Sequence, residues 1–377
     1  MKETNDDMER HLLVLGRGKS GEAAAKLAEA DGKSVEFADG VGLVIASPGV
    51  RVMSELEFGC RALKRLGVRM LAVTGSKGKS SVVKLVADAL NLAGFRATPC
   101  GNYGLPVSEL ANQLSTFSFQ LSTPTWAVVE VSSFMMETTN LAPDTFEAAA
   151  ILNLQEDHLD RHGSVEVYHA LKRKLLSCAK TRTVGAELKE TPLSKGSYFD
   201  NDVLRANGAV AVELMRAAGL GDEVINRAFV EFEPLPHRFQ TVAEIDGVRY
   251  VDDSKATSVA ALMAGVTMAG GGVRLIAGGL AKGDDPKSAS SLLTKRVKKV
   301  YLIGRCAEEF RSAWSEAVDC EVCETMERAV EAAKREAEKG DTVLLSPGTA
   351  SFDQFKSFGE RGEVFASLVK KEGQKIK

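Results

Sequence analysis

Leu71-Ala-Val-Thr-Gly75-Ser-Lys-Gly78-Lys79-Ser80-Ser81 is an apolar run that breaks into a glycine-lysine-serine turn and then into a helical pattern. Glycine lets the backbone aim its N–H groups at an anion, and the helix that follows adds its positive N-terminus. Lys79 supplies a point charge and Ser80 a hydroxyl for Mg2+. A full P-loop pattern places glycine at position 73, where this chain has Val73, so the match is to a shortened form. An ordinary Gly-rich strand-to-helix turn is the competing reading. The order strand, turn, lysine, hydroxyl, helix favours a nucleotide phosphate site.

The chain around this loop has 377 residues, more than one ordinary core accommodates, and about two or three domains are expected. Its formal net charge of −3 argues against a nucleic-acid-binding surface, which is usually strongly basic. No apolar run approaches about 18 residues, so no membrane span is expected. Residues 1–10 are charged and lack the apolar segment of a signal peptide, which makes the cytoplasm the expected location. Six cysteines are scattered, and only Cys320-x-x-Cys323 has motif-like spacing. One such pair is a weak zinc signal, and the expectation is two incidental thiols near a helix start.

Before the loop, Leu12-Leu-Val-Leu15 reads as a strand, followed by Gly16-Arg-Gly-Lys-Ser-Gly21 and an Ala-rich helix to about residue 30. This is half of a dinucleotide fingerprint, whose turn and helix N-terminus can hold a diphosphate. A strand over 34–38 ends at Asp39, an acidic residue placed to meet a ribose hydroxyl. Leu43-Val-Ile-Ala46 then runs into Ser47-Pro-Gly-Val50, and a helix is expected over 55–66. Residues 1–68 therefore form a short α/β domain.

After the loop, Val82, Leu85, Val86 and Leu90 recur at helical spacing over 80–93. Gly101-Asn-Tyr-Gly104 makes a turn, and Thr125-Trp-Ala-Val-Val-Glu-Val131 reads as a buried strand carrying Glu130. A carboxylate there either meets a cation, which a metal shared with the loop would supply, or turns to solvent by strand alternation. The strand over 148–153 exits into Leu154-Gln-Glu-Asp-His-Leu-Asp-Arg-His162, where His158 is a candidate metal or phosphate-side group oriented by Asp157 or Asp160. A helix over 165–178 carries Tyr168, Lys172 and Lys174, by itself a solvated basic face. Residues 179–202 read as a polar connection, helices follow over 203–218 and 222–232, and Glu233-Pro-Leu-Pro236 marks a boundary.

Beyond it, His237-Arg-Phe-Gln240 and Val248-Arg-Tyr-Val251 read as strands, with Asp246-Gly247 as a hairpin turn. Asp252-Asp-Ser-Lys-Ala-Thr-Ser258 then opens a helix, and strands over 273–277, 299–303 and 342–345 alternate with helices, as in a doubly wound parallel sheet. Gly278-Gly-Leu-Ala-Lys-Gly283 and Ser346-Pro-Gly-Thr-Ala-Ser351 follow strands, at the edge where open α/β sheets bind ligands.

Six stretches in order resemble the Mur ligases of peptidoglycan synthesis, and within them the branch that adds D-glutamate. These are Gly75-Ser-Lys-Gly-Lys-Ser-Ser81, Glu130-Val-Ser-Ser-Phe134, Leu152-Asn-Leu-Gln-Glu-Asp-His-Leu-Asp-Arg161, Leu235-Pro-His-Arg-Phe239, Asp253-Ser-Lys-Ala-Thr257 and Leu345-Ser-Pro-Gly-Thr-Ala-Ser-Phe-Asp-Gln-Phe-Lys356. The last two bear on acceptor choice, because sister ligases and folylpolyglutamate synthetase differ there. The resemblance implies an α/β protein of three domains: a small Rossmann-like domain over 1–68 for the UDP-linked substrate, a central P-loop-type ATPase domain over 69–235, and a Rossmann-like domain over 236–377 for the incoming amino acid.

It also implies the reaction: ATP activates the carboxylate of UDP-N-acetylmuramoyl-L-alanine as an acyl phosphate, which the amine of D-glutamate attacks. Gly75, Ser76, Lys77, Gly78, Lys79, Ser80 and Ser81, with Arg238 and Asp253, would hold ATP, and Lys79 would act in catalysis. Two Mg2+ ions are implied, with Ser80, Glu130, His158 and Lys172 as their ligands, Lys172 as a carbamate. A lysine that captures CO2 becomes an anionic oxygen ligand. Lys19, Ser20, Asp39 and Ser47 match the uridine diphosphate site, and Asn102 lies near the substrate's sugar and lactoyl carboxylate. Thr257, Lys282, Ser351, Phe352 and Phe358 match the D-glutamate pocket, and Lys255 lies in the same motif as Asp253. A monomer is expected. The family's Gly-x-His-Asn-x-x-Asn segment is reduced here to Asn201-Asp-Val-Leu-Arg-Ala-Asn207, which keeps only the final Asn. A ligase with another acceptor, or a nucleotide-binding relative with reduced catalysis, are the alternatives.

Overall fold

The computed structural model describes residues 11–39, 52–116, 123–155, 159–188 and 197–371. Between Phe232 and Glu233 the chain divides into two compact units, with Asn201–Val203 belonging to the second.

In the first unit, β1 (His11–Leu15), α1 (Lys19–Ala30), β2 (Ser34–Ala38) and α2 (Glu55–Arg65) precede the central sheet. There follow β3 (Arg69–Thr74), α3 (Lys79–Leu92), β4 (Arg96–Gly101), α4 (Val107–Thr116), β5 (Thr125–Glu130), α5 (Ser133–Glu137) and β6 (Phe146–Ile151). The unit ends with α6 (Leu159–His162), α7 (Val165–Lys174), β7 (Ala179–Val184), α8 (Arg205–Ala217) and α9 (Asp222–Glu231). Strands β1 and β2 pair parallel, and the other five form a parallel sheet in the order β4-β5-β3-β6-β7. A parallel sheet is covered on both faces, so its inner strands read as continuous apolar runs. Met70 and Ala72 join a core with α2 and α4, while Leu71 and Val73, which alternate to the other face, are equally enclosed.

Helix α2 starts at Ser54, whose hydroxyl accepts the Glu57 N–H at 3.1 Å and satisfies one of the donors a helix start leaves open. Its apolar side, Leu56, Cys60 and Leu63, packs with Val107, Leu110, Ala111 and Leu114 of α4. The two helices approach so closely that a Cβ on Gly59 would lie 2.6 Å from the Ser108 nitrogen. Glu55 accepts the Ser108 N–H at 2.7 Å, and burial raises the pKa of its carboxyl.

The second unit contains β8 (Gln240–Ile245), β9 (Val248–Asp252), α10 (Val259–Ala269), β10 (Val273–Gly278), α11 (Ser290–Arg296), β11 (Val297–Ile303) and α12 (Ala307–Trp314). It continues through β12 (Asp319–Glu324), α13 (Met326–Glu336), β13 (Thr342–Leu345) and α14 (Phe358–Lys370). The sheet order is β12-β11-β10-β13-β9-β8, parallel except for β8. Asp246 and Gly247, at φ 53° and 77°, turn β8 into β9 with the positive dihedrals that a two-residue hairpin requires. Helices α10, α11 and α12 enclose one face of the sheet, and α13 and α14 the other.

Two expectations are corrected. Residues 179–184 are the edge strand β7 and not connection: an edge strand half open to solvent shows the polar pattern Ala-Lys-Thr-Arg-Thr-Val, which mimics a loop. His237 and Phe239 are not in a strand, because both hold positive φ, and pairing begins at Gln240. Cys320 and Cys323 are two free thiols on strand β12, which ends just before α13. Odd spacing on a strand sends side chains to opposite faces. Cys320 packs with the α12 side and Cys323 with the α13 side, so the pair cannot chelate one ion.

Candidate active site

Strand β3 delivers the chain into Gly75, and α3 starts at Lys79 behind Gly78, whose φ is 85°. A side chain there is excluded twice, by that dihedral and because a Cβ would lie 2.1 Å from Asn207 Nδ2. Asn153 clamps the loop from β6: its Oδ1 accepts the Lys77 N–H at 2.9 Å and its Nδ2 donates to the Lys77 carbonyl at 2.9 Å. The same Nδ2 reaches Asn207 Oδ1 at 3.1 Å. Ser76 Oγ accepts the Gln155 N–H at 3.0 Å and lies 3.1 Å from the Tyr168 hydroxyl. Lys79 Nζ donates to the carbonyls of Gly75 at 2.8 Å and Ser76 at 3.1 Å. Ser80 stands in the first turn of α3, beside Ser81.

Glu130 ends β5, level with Val73 of β3 and Gly101 of β4 in the strand register. It is only 2% exposed, which decides against the solvent-facing alternative. Asn102 Nδ2 donates to its Oε1 at 2.8 Å, while Oε2 is buried with no hydrogen-bond partner among the described residues. Such an oxygen is costly unless a cation meets it. The donor set therefore fits a hard cation such as Mg2+, which prefers carboxylate and hydroxyl oxygens.

Lys172 comes from α7 and is 2% exposed, so it is not on a solvated face. Its Nζ donates to the Gly75 carbonyl at 3.1 Å and sits 4.4 Å from the Tyr168 ring centroid. His162 Nε2 lies 3.0 Å from Ser133 Oγ, and its ring is tilted against Tyr168 and Phe134. His158 lies outside the described residues, as does Ser47. No three His, Cys, Asp or Glu side chains converge as a metal cluster among the described residues.

In the second unit, the ends of β9, β10 and β13 bring Asp253, the Gly278–Gly279 turn and Ser346 to one edge. Leu280 and Ala350 exchange backbone hydrogen bonds of 2.9 and 3.0 Å, tying the loop with Lys282 to the loop with Ser351. Asp253 Oδ2 accepts Ser346 Oγ–H at 2.9 Å and Oδ1 the Phe239 N–H at 3.1 Å. Removal from water pushes the Asp253 carboxyl up to about 7 in spite of these bonds. Ser351 is buried, Thr257 and Phe358 partly buried, Lys282 and Phe352 exposed. Lys255 Nζ lies 4.0 Å over the Phe358 ring. Beneath them Arg361 is fully buried and donates to Ser254 Oγ and to the carbonyls of Ser254, Thr349 and Ala350. Burial lowers its guanidinium to about 10.

At the N-terminal end, Lys19 and Ser20 open α1, whose start has no side-chain cap among the described residues. A Cβ on Gly21 would sit 2.0 Å from the Gly16 carbonyl oxygen, the close approach a diphosphate-type turn needs. Asp39 is exposed and accepts Arg17 Nε–H at 3.0 Å. The sequence did not identify Asn153 or Ser76–Tyr168 as loop clamps, nor the His237–Asp252 pair, nor Arg361 as a buried cation. Asn153 and Asn207 were visible only as members of motifs.

The Mur ligase middle domain matches residues 73–187, and the Mur ligase glutamate ligase domain matches residues 237–348. The UDP-N-acetylmuramoylalanine–D-glutamate ligase of Thiobacillus denitrificans is 34% identical over 86% of this chain and 78% of its own. That of Nitratidesulfovibrio vulgaris is 32% identical over 95% of both chains. The fold is that of MurF ligase from Thermotoga maritima in complex with ADP, superposing with a TM-score of 0.65 at 16% identity over 96% of this chain and 95% of that one. Identity sustained end to end leaves one assignment: this chain belongs to the Mur ligase family.

Proposed function

We propose that the chain is an ATP-dependent ligase that joins D-glutamate to UDP-N-acetylmuramoyl-L-alanine. Relatives named for that reaction over nearly the whole chain support it. The observation that carries the catalytic reading is Glu130, a buried carboxylate with one oxygen unpartnered among the described residues, level with the strand that enters the phosphate loop.

In this reading 1–68 holds the uridine diphosphate through Lys19, Ser20, Asp39 and Ser47, 69–235 works on ATP, and 236–377 receives D-glutamate. Gly75 to Ser81 cradle the phosphates, and Arg238 and Asp253 are the second unit's candidates for binding ATP. Thr257, Lys282, Ser351, Phe352 and Phe358 take the amino acid, where an ammonium and hydroxyls suit a dicarboxylate. Asn102 serves twice, holding Glu130 and facing the substrate's lactoyl carboxylate.

The substrate carboxylate oxygen attacks the γ-phosphorus, ADP leaves, and the amine nitrogen of D-glutamate then attacks the acyl carbon and expels phosphate. Both partners are anions, so positioning and charge stabilisation dominate. Lys79 neutralises the phosphoryl oxygens in transit, and the loop N–H groups fix their direction. Ser80, Glu130, His158 and Lys172 as a carbamate would hold two Mg2+ ions, which neutralise phosphate charge when bound. The cytoplasm, where ATP is found, is the place for this reaction, and no described helix is long and apolar enough to cross a membrane.

Purified protein with ATP, Mg2+ and UDP-N-acetylmuramoyl-L-alanine should release phosphate with D-glutamate and not with L-glutamate, L-lysine or no amino acid. Release driven by a different acceptor would refute the substrate assignment.

A further inference from the structure

Arg238 stands between two residues in strained backbone: His237 has φ 61° and Phe239 φ 49°. Left-handed dihedrals are costly for residues with a Cβ, most of all bulky ones, and persist only where the surroundings over-determine them. Here five hydrogen bonds do so. The His237 N–H donates to Gln240 Oε1 at 3.3 Å and its carbonyl accepts the Lys255 N–H at 3.0 Å. The Arg238 N–H donates to the Leu235 carbonyl at 3.1 Å. Asp253 Oδ1 accepts the Phe239 N–H at 3.1 Å, and Asp252 Oδ2 lies 2.7 Å from His237 Nδ1. Two consecutive aspartates thus hold the residues on either side of one arginine.

Two helices make room for those carboxylates. A Cβ on Gly265 of α10 would lie 2.6 Å from Asp253 Oδ2. A Cβ on Gly362 of α14 would lie 2.2 Å from His237 Nδ1 and 2.5 Å from Asp252 Oδ2. Asp252 is 1% exposed and its other oxygen accepts the Ser254 N–H at 2.9 Å, so its orientation is fixed from behind. The imidazole ring packs edge-on to Phe358 at 6.2 Å between centroids. Nothing in this arrangement needs the histidine or Asp252 to touch a ligand. Its product is the direction of the backbone at Arg238.

We propose that His237 and Asp252, seated on Gly362, are a positioning pair that sets the backbone from which Arg238 binds ATP. The proposal rests on the assignment of Arg238 to ATP. The strain at 237 and 239 is the cost of presenting the guanidinium from a turn rather than from the strand that begins at Gln240. Because the pair acts through Arg238, its effect disappears when the arginine is absent, whereas a purely structural pair would weaken every variant alike.

The test is a double-mutant cycle on the full chain, measuring kcat/KM for ATP and the unfolding temperature. Gly362→Ala should lower kcat/KM about 10²-fold, the size of effect a displacement of about 1 Å produces. Asp252→Asn keeps the shape and an acceptor oxygen, and should retain more activity than Asp252→Ala. Combined with Arg238→Ala, either change should cost no more than Arg238→Ala alone. Multiplicative losses in the double variants, or unchanged kinetics in the singles, would overturn the positioning role. If Gly362→Ala does not fold, the Asp252 variants carry the same cycle. Wild-type kcat/KM in Arg238→Ala would instead remove the nucleotide role of Arg238 and the proposal with it, a result distinct from multiplicative losses.

Discussion

Lys172 Nζ donates a hydrogen bond of 3.1 Å to the carbonyl oxygen of Gly75, across 97 positions of sequence. A lysine from α7 is thereby fixed under the phosphate loop, where it is 2% exposed. If it is to serve a metal it must change sign, and a carbamate does that. Lys172→Ala should lose ligase activity and recover part of it when short carboxylic acids are supplied. Full activity in the unsupplemented variant would remove the lysine from catalysis. In the wild type, 13CO2 should give a carbamate carbonyl signal in the 13C NMR spectrum that Lys172→Ala lacks.

Glu130→Gln tests the orphan oxygen. The amide retains the acceptor for Asn102 but loses the charge, so folding should be little changed. The Mg2+ concentration for half-maximal activity should rise, and kcat should fall by about 10²-fold or more, since a bound metal contributes several kcal/mol of charge stabilisation. An unchanged Mg2+ titration would place the metal elsewhere.

Asp253 makes stability depend on pH. Its carboxyl is raised to about 7 from an ordinary 3.8, so between these values the folded protein binds more protons than the unfolded chain. Stability from this group is present below 3.8 and is lost as pH rises through 7. Asp253→Asn, which cannot ionise, should therefore gain in unfolding temperature relative to the wild type at pH 8 and not at pH 4. A constant difference across that range would assign the Asp253 site no linkage.

Gly78→Ala should destabilise by about 1–2 kcal/mol from the left-handed dihedral alone. The Cβ also collides with the Asn207 side chain, so that side chain or the loop must shift. Calorimetric unfolding should show the loss, and ADP should no longer raise the transition temperature.

How far the sequence was legible follows the range of the interactions. The phosphate loop was readable because strand, turn and helix are neighbours in the chain. The position of Glu130 was left open because burial against Asn102, 28 residues away, cannot be read from one strand. Strand β7 was missed since an edge strand shows solvent its polar side. The spacing of Cys320 and Cys323 is a weak chelation signal that the sequence alone sets aside, and the strand's alternation shows why: the two side chains face opposite sides of the sheet. Asn207 survived in a shortened motif without its partners, and its role against Gly78 emerges only when α8 is laid on the loop. The turn at Arg238 looked like a strand because positive dihedrals leave no mark in the residue types His and Phe.

The contact of α2 with α4 has a consequence for how such chains can recombine. Leu56, Cys60 and Leu63 complete a core whose other half is encoded some fifty residues later, and Gly59 sets the spacing to Ser108. A graft of the first 68 residues from another family member would have to bring its own α4 surface or arrive with a matching one. The heritable module at this end is thus a discontinuous one, a leading segment together with the helix it leans on.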